Sequence, residues 1–292
     1  MIFLEVIILG DKITLSKDAV YGSVIAVLAV LLIASVFTAG FGVVKAECPA
    51  VEQPTQPAET AKPVETDTAE TEEPGPAPLG TLTVDAGDAT RLGDENAPVT
   101  LVHFSEFPCP YCASFYKNTE GKLKTNYVDN GKMKLYFRDF LIHPDYAIPA
   151  AQAARCAGEQ GMFWEMHDKI FENRDSWIEL SNYTPTFTQY AVDLGLDNES
   201  FSTCISDENA YVDEMYADMQ AGRDAGVQGT PSSFIIIPKS NADEESIRDA
   251  VDVVNAMYGG ITLYENDNEY TVYVPGAYPY DTFSTVLDAV DY

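Results

Sequence analysis

Residues 97–112 read APVTLVHFSEFPCPYC. The first eleven residues are rich in β-branched and aromatic side chains, which predicts a buried strand. Pro108 and the two cysteines that follow interrupt this pattern, so we expect a helix to begin at Cys109 and to run to about Val128. The junction of strand and helix therefore carries the pair Cys109 and Cys112.

This placement suits thiol chemistry, because the thiolate is the nucleophile and a free cysteine is mostly protonated at neutral pH. The unpaired N–H groups and the dipole of a first helical turn stabilise negative charge. Pro110 fits this turn, where its missing N–H costs nothing. Cys112 lies about one turn further on and can attack a mixed disulfide at Cys109. We predict that Cys109 is the exposed attacking sulfur and Cys112 the buried resolving sulfur.

A single CxxC motif is also compatible with half of a zinc site, which needs two further ligands. The sequence has five cysteines and three histidines, with no second CxxC and no HxxxH motif. Cys156 and Cys204 stand alone on predicted helices. We therefore expect neither a metal nor another cofactor.

A second motif, Gly229-Thr230-Pro231-Ser232-Ser233, lies just before the apolar run FIII. A proline entering a central strand is normally unfavourable. It is accommodated if the Thr230–Pro231 bond is cis and turns sharply toward the cysteines. Such a turn would present the backbone of Thr230 to an extended substrate, whereas an ordinary trans turn is the alternative.

The remaining pattern predicts an α/β domain over residues 81–292. Expected strands are 81–85, 132–140, 233–237 and 270–274. Expected helices are 241–257, with Asn241 or Asp243 as its N-cap, and 280–290. Residues 145–225 have helical periodicity, with breaks near 158–161, 182–185 and 195–198.

Four segments carry a family resemblance: APVTLVHFSEFPCPYC, FRDF, AARCAGEQGMFWEMHDKIF and GVQGTPSSFII. Together they resemble the DsbA-like branch of the thioredoxin superfamily over residues 90–238, and the resemblance resumes at 274–290. The dipeptide in CPYC also occurs in glutaredoxins, but the 119 residues from Cys112 to Pro231 are too many for that compact fold. The resemblance implies a thioredoxin fold with a helical insertion at about 144–226. Residues 239–269 are extra relative to the family and leave open whether they cover the substrate groove.

The resemblance implies an extracytoplasmic thiol–disulfide oxidoreductase whose functional residues are Cys109, Cys112, Pro231 and Thr230. Its substrates would be exported proteins with reactive thiols or disulfides, and a membrane or soluble redox partner would recycle it. Disulfide formation is the preferred direction. Reductase or isomerase activity is the alternative, and a non-catalytic thioredoxin-like binding module is a third hypothesis.

Glu106, three residues before Cys109, is a candidate base for Cys112, because a partly buried carboxylate has a raised pKa. The alternative is a salt-bridged residue at the strand end, paired with Arg138. His143 and His167 are expected to pack or cap helices rather than to bind ligands.

Cys156 and Cys204 both lie in the helical insertion. They are expected to form a structural disulfide if the domain is outside the cytoplasm, where paired cysteines normally oxidise. The alternative is two separate buried thiols. Cys48 is the odd cysteine, either free or linking two chains, so we expect a monomer with a Cys48-linked dimer as the alternative. Asn182 and Asn198 match N-glycosylation acceptors in predicted loops.

Residues 19–44 are uncharged and apolar, and about 20 such residues cross a bilayer. We expect an uncleaved single-pass anchor, with residues 1–18 as a short cytoplasmic tail. Residues 45–80 are rich in proline, threonine and acids, which predicts a disordered tether. The catalytic domain would then lie outside the cell membrane.

The chain of 292 residues carries 17 basic and 46 acidic side chains, a net charge of −29. No basic stripe exists to neutralise phosphates, so nucleic-acid binding is not expected. The acidic excess has two interpretations: ordinary solvated faces, or solubility in high salt, where screening removes most self-repulsion.

Overall fold

The computed structural model describes residues 4–8, 11–15, 80–87 and 89–292. The chain divides into two compact units, Met1–Glu72 and Glu73–Tyr292. In the first unit, strands β1 (Leu4–Ile8) and β2 (Asp11–Leu15) pair antiparallel.

The predicted anchor at 19–44 lies outside the described residues, as do Cys48 and the predicted tether up to residue 79. Within the described part of the chain, no helix has the length and apolar character needed to cross a membrane.

The second unit is built on a six-stranded mixed sheet. Its strands are β3 (Arg91–Leu92), β4 (Val99–Ser105), β5 (Met133–Asp139), β6 (Ser232–Pro238), β7 (Thr262–Glu265) and β8 (Glu269–Pro275). Their order is β3-β5-β4-β6-β8-β7, in which only β4 and β5 run parallel. Strand β4 is central and covered on both faces, which explains its nearly continuous apolar sequence.

Ten α-helical segments are present among the described residues. They are α1 (Pro110–Phe115), α2 (Gly121–Leu123), α3 (Pro144–Gly158), α4 (Phe163–Glu172), α5 (Arg174–Trp177), α6 (Thr184–Asp193), α7 (Asn198–Ile205), α8 (Val212–Asp224), α9 (Glu244–Met257) and α10 (Tyr280–Leu287). Two π-helical turns, Tyr116–Glu120 and Lys124–Val128, join α1 and α2 into one helical stretch. This stretch ends at Val128, as the sequence predicts.

Helices α3 to α8 form the insertion between β5 and β6, with breaks near the three predicted places and two further breaks, at 173 and at 206–211. Its interior is aromatic: Trp177, Phe187 and Phe201 are fully buried. Side chains of this size supply much of the apolar surface that a small helical subdomain must bury.

A buried ion network joins the insertion to the sheet. Arg138 Nε on β5 lies 2.7 Å from Asp218 Oδ1 on α8. Arg155 on α3 contacts Asp218 Oδ2 at 2.6 Å and Asp139 Oδ2 at 2.7 Å. The charges are paired and hydrogen-bonded, which offsets their desolvation and fixes α8 against β5.

The structure lacks one of the predicted strands and adds two others. Residues 81–85 do not form a strand, because Val84 and its neighbour Leu82 pack on the face of the sheet beside Val102 instead of pairing at an edge. The edges are occupied by β3 and β7, neither of which was predicted. Helix α9 begins at Glu244, after Asp243, which is one of the two predicted N-caps.

The extra segment 239–269 thus contributes α9 and the edge strand β7. It reaches the loop after β8, where the Tyr278 hydroxyl donates to the Gly259 carbonyl at 2.6 Å. That loop in turn touches the Thr230–Pro231 turn, since Gly276 N donates to Pro231 O at 2.7 Å.

Candidate active site

Cys109 and Cys112 lie where the central strand meets the first helix. Cys109 is the extended N-cap residue of α1, and Pro110 is the first helical residue. The carbonyl of Cys109 accepts from Ala113 N at 3.1 Å, so Cys112 sits in the first turn. Both cysteines are free thiols in this structure.

The prediction that the attacking sulfur is exposed is wrong in this structure. Cys109 is 5% exposed and Cys112 is 1% exposed. The turn at Thr230 covers the first sulfur: the Cys109 thiol lies 3.5 Å from the Thr230 carbonyl oxygen, its acceptor. A turn 121 residues away in sequence closes over the helix start, and local sequence does not reveal this contact.

The two thiols are electrostatically unequal. The hydrogen bond from Cys112 lowers the pKa of Cys109 to about 6, against the opposing effect of burial and with help from the amides of Cys112 and Tyr111. Burial raises the pKa of Cys112 well above its ordinary value, as do the hydrogen bond and charge of Cys109. At neutral pH, Cys109 is therefore the thiolate and Cys112 the protonated partner that stabilises it.

The Thr230–Pro231 bond is cis. Pro231 is buried and is followed directly by β6. A groove of about 530 Å³ runs along this turn, and its walls include Gln228, Tyr273 and Gly276. Thr230 Oγ1 is buried and has no hydrogen-bond partner among the described residues.

Glu106 is fully buried and its carboxylate is already engaged. It accepts from the amides of Ile142 and His143 at 2.8 and 2.9 Å, and lies 2.6 Å from His143 Nδ1. The alternative pairing with Arg138 is wrong, because that guanidinium binds Asp218 on α8. A carboxylate with three partners is well suited to holding the loop before α3, whereas its predicted role as a base stays a prediction.

Three residues that the sequence analysis did not select lie on the segment that leads to Cys109 or contact it. His103 on β4 is buried, stacks on Phe115 with ring centroids 4.3 Å apart, and has its pKa lowered by burial to about 4. Ser105 ends β4 and is fully buried. Arg174 binds the carbonyl of Pro108. His103 and Ser105 could have been selected from the sequence as polar residues in an apolar strand, whereas Arg174 has no such signal.

Of the two histidines that were expected to pack or cap helices, His167 is a packing residue. It is fully buried and lies with its ring centroid 5.0 Å from that of Phe137. Ligand atoms of His167, Glu120 and Asp168 lie within 4.8 Å of one another, close enough for a metal ion. However, Lys124 Nζ lies 2.8 Å from both Glu120 Oε1 and Asp168 Oδ1. The Lys124 ammonium group thus lies where a metal ion would be bound.

The remaining predicted sites lie in the helical insertion. A disulfide joins Cys156 on α3 to Cys204 on α7, with a Cα–Cα distance of 5.8 Å. Asn182 is exposed in the turn before α6. Asn198 is exposed as well, but it is the first residue of α7 rather than a loop residue, because Asp197 caps that helix.

Comparison with known proteins gives a consistent picture. A family model described as thioredoxin matches residues 85–253. The chain is 34% identical over 146 residues to Na(+)/H(+) antiporter NhaA 3 of Salinispora tropica, covering 49% of this chain and 21% of the antiporter. It is 24% identical over 175 residues to disulfide bond formation protein D of Bacillus subtilis, covering 55% and 74%. The crystal structure of Wolbachia pipientis alpha-DsbA1 has 25% identity and a TM-score of 0.53, covering 70% and 92%.

The chain spans less than two thirds of the first curated relatives that it matches, with 21%, 63% and 62% of their lengths covered. The region matched by the family model contains Cys109, Cys112 and Pro231.

Proposed function

The chain belongs to the thioredoxin family, in its DsbA-like branch, and from this premise we propose that it catalyses disulfide formation in exported proteins through Cys109 and Cys112. The observation that carries the proposal is the unequal pair of thiols beneath the Thr230–Pro231 turn. A binding module without activity would have no need of this arrangement.

The proposed reaction has two exchange steps. A substrate thiolate attacks Cys109 Sγ of the enzyme disulfide, a mixed disulfide forms, and Cys112 leaves and takes up a proton. A second substrate thiolate then attacks the substrate sulfur of the mixed disulfide, and Cys109 leaves as a thiolate. The substrate loses two electrons and two protons and gains a disulfide; the enzyme takes the two electrons and one proton, as the Cys109 thiolate and the Cys112 thiol, and the other proton goes to solvent.

The low pKa of Cys109 supports this direction of electron flow. A thiol of low pKa is a good leaving group, and stabilising the thiolate stabilises the reduced enzyme, which makes its disulfide more oxidising. A reductase or an isomerase of the same fold is the alternative, and the redox potential distinguishes them.

The same proposal includes a location. Residues 19–44 would anchor the chain in the cell membrane, and the tether 45–80 would hold the catalytic unit outside it. A membrane or soluble partner carrying a disulfide or another two-electron oxidant would then reoxidise Cys109 and Cys112. The single-pass topology rests on the sequence pattern.

The decisive experiment is equilibration of the full chain with glutathione redox buffers, with the fraction of the Cys109–Cys112 disulfide read by mass mapping. A potential near about −120 mV is expected for an oxidase, and one near about −270 mV would instead indicate a reductase. Oxidation of a reduced unfolded protein should also be fast with wild type and absent with Cys109→Ser. If wild type and Cys109→Ser do not differ, the chain is not an oxidoreductase of this kind.

A further inference from the structure

Arg174 reaches from the helical insertion to the residue before the attacking cysteine. It is the first residue of α5, yet its Nε and Nη2 donate to the Pro108 carbonyl at 2.8 and 2.5 Å. Its side chain is only 18% exposed. A charge-assisted pair of hydrogen bonds to a single carbonyl is a strong contact and fixes geometry.

The charge of this guanidinium is only weakly neutralised. Its acidic partner is Asp175, at 3.1 Å, whose side chain is 97% exposed to water. Exposed ion pairs contribute little, so a largely buried positive charge remains beside the start of α1. The helix start already favours an anion at Cys109, and a nearby cation adds to this preference.

The short helix that carries Arg174 is anchored in the insertion. Trp177, three residues further along α5, is fully buried, and its Nε1 donates to the Ile170 carbonyl at 2.9 Å. This anchor ties α5 to the core of the insertion, so Arg174 extends toward Pro108 from a fixed base.

The peptide group that receives these hydrogen bonds joins Pro108 to Cys109. Its orientation sets the direction in which the Cys109 sulfur leaves the helix start. The thiolate depends on that direction, because its stabilising donors are the Cys112 thiol and the amides of Cys112 and Tyr111. On the other side of the same segment, Glu106 is held by the loop at 142–143.

We propose that Arg174 is a positioning residue that orients Cys109 and favours its thiolate, which makes the helical insertion a working part of the redox site. The inference deepens the proposed function and rests on it. The expected effect is on the reactivity of the Cys109 thiol itself, so it can be measured without a substrate protein.

Other charged groups share the surroundings of Arg174. A groove of about 860 Å³ runs beside Pro110, and its charged lining residues besides Arg174 are Lys117, Lys124, Asp168, Glu172 and Asp175. Lys124 and Asp168 pair with each other, and Glu172 accepts from the Tyr116 hydroxyl. Arg174 differs from these groups in its direct contact with the Pro108 carbonyl.

The test measures the rate of Cys109 alkylation by iodoacetamide from pH 4 to 9 in the reduced full chain, with the site identified by mass mapping. The variants are Arg174→Gln, Arg174→Lys and the control Arg223→Gln, which removes the same charge from an exposed position on α8. Arg174→Gln should raise the apparent pKa by about 0.5–1 and slow alkylation at pH 6 about two- to fivefold. Arg174→Lys should recover part of the shift, and Arg223→Gln should match wild type.

An unchanged profile in Arg174→Gln would overturn the proposal, including the case in which only its unfolding midpoint falls, since that result indicates a structural role. An equal shift in Arg223→Gln would also overturn it, because the overall charge would then be responsible. If Arg174→Gln does not fold, a wild-type profile in Arg174→Lys overturns the proposal and an intermediate profile supports it. Failure of wild type to oxidise a protein substrate would count against the proposed function and leave this measurement intact.

Discussion

His103 Nδ1 lies 2.8 Å from Ser233 Oγ, and both side chains are buried. This bond joins β4, which leads to Cys109, with β6, which follows Pro231. The two residues face each other directly in the register of the sheet. The two halves of the active site, far apart in sequence, are therefore connected by a polar contact beneath it as well as by the backbone ladder.

The buried imidazole should make the protein sensitive to acid. Burial lowers the pKa of His103 from 6.5 to about 4. The unfolded chain thus binds a proton at higher pH than the folded one, so this contribution to stability is complete above pH 6.5 and is lost as the pH falls through 4. Urea unfolding should show a loss of up to about 3 kcal/mol over this interval that is missing in His103→Asn. Equal pH dependence in the two proteins would contradict the assignment.

Cys109 should react before Cys112 in the reduced protein. With one pKa at about 6 and the other well above 9, the rates of alkylation at pH 7 should differ by about 100-fold or more. Competitive labelling with peptide mapping gives the ratio, and Cys112→Ser serves to isolate the first thiol. Preferential labelling of Cys112 would reverse the two roles.

The stability of the reduced form relative to the oxidised form should depend on pH in two phases. The pKa of Cys109 is lowered to about 6 from 9.0. Its contribution to the stability of the reduced form is therefore complete above pH 9 and is lost as the pH falls through 6. The pKa of Cys112 is raised, so its contribution is lost as the pH rises beyond 9. The difference in unfolding free energy between reduced and oxidised protein should rise from pH 6 to 9 and then fall. In Cys109→Ser the comparison of reducing and oxidising conditions should show no such rise; if it persists there, another group is responsible.

The disulfide of the insertion should contribute to stability and not to exchange. Cys156 and Cys204 close a loop with a sequence separation of 48. On the chain-entropy model, replacing both by serine should cost about 4 kcal/mol. The variant should retain wild-type alkylation at Cys109 and its exchange activity at a temperature where it is folded. Two free thiols in the native protein, found by mass mapping, would refute the pairing.

Replacing Glu106 distinguishes a structural role of this residue from a catalytic one. Its three donors lead us to expect that Glu106→Gln lowers the unfolding free energy by about 1–3 kcal/mol. Resolution of a mixed disulfide at Cys109 should then stay within about twofold of wild type. A general base typically contributes about 100-fold or more. A slowing of that size, in a variant that is still folded, would establish the predicted base.

The sequence alone located the chemistry because its signals are local. The change from a β-rich run to Pro110 predicts the junction that carries Cys109 and Cys112. Pro231, directly before the apolar strand β6, predicts the turn that faces the cysteines. Glycines and capping residues predict three of the five breaks in the helical insertion. Each of these signals acts over a few residues, where steric limits and backbone hydrogen bonding decide the outcome.

Tertiary structure decided which distant groups meet. It buried Cys109 under Thr230, paired Glu106 with His143 rather than Arg138, and brought Arg174 to Pro108. It also laid residues 81–85 across the face of the sheet, since other segments fill its edges. A charged or polar side chain takes whichever partner the packed backbone places within about 3 Å, and no short pattern in the sequence encodes that distance.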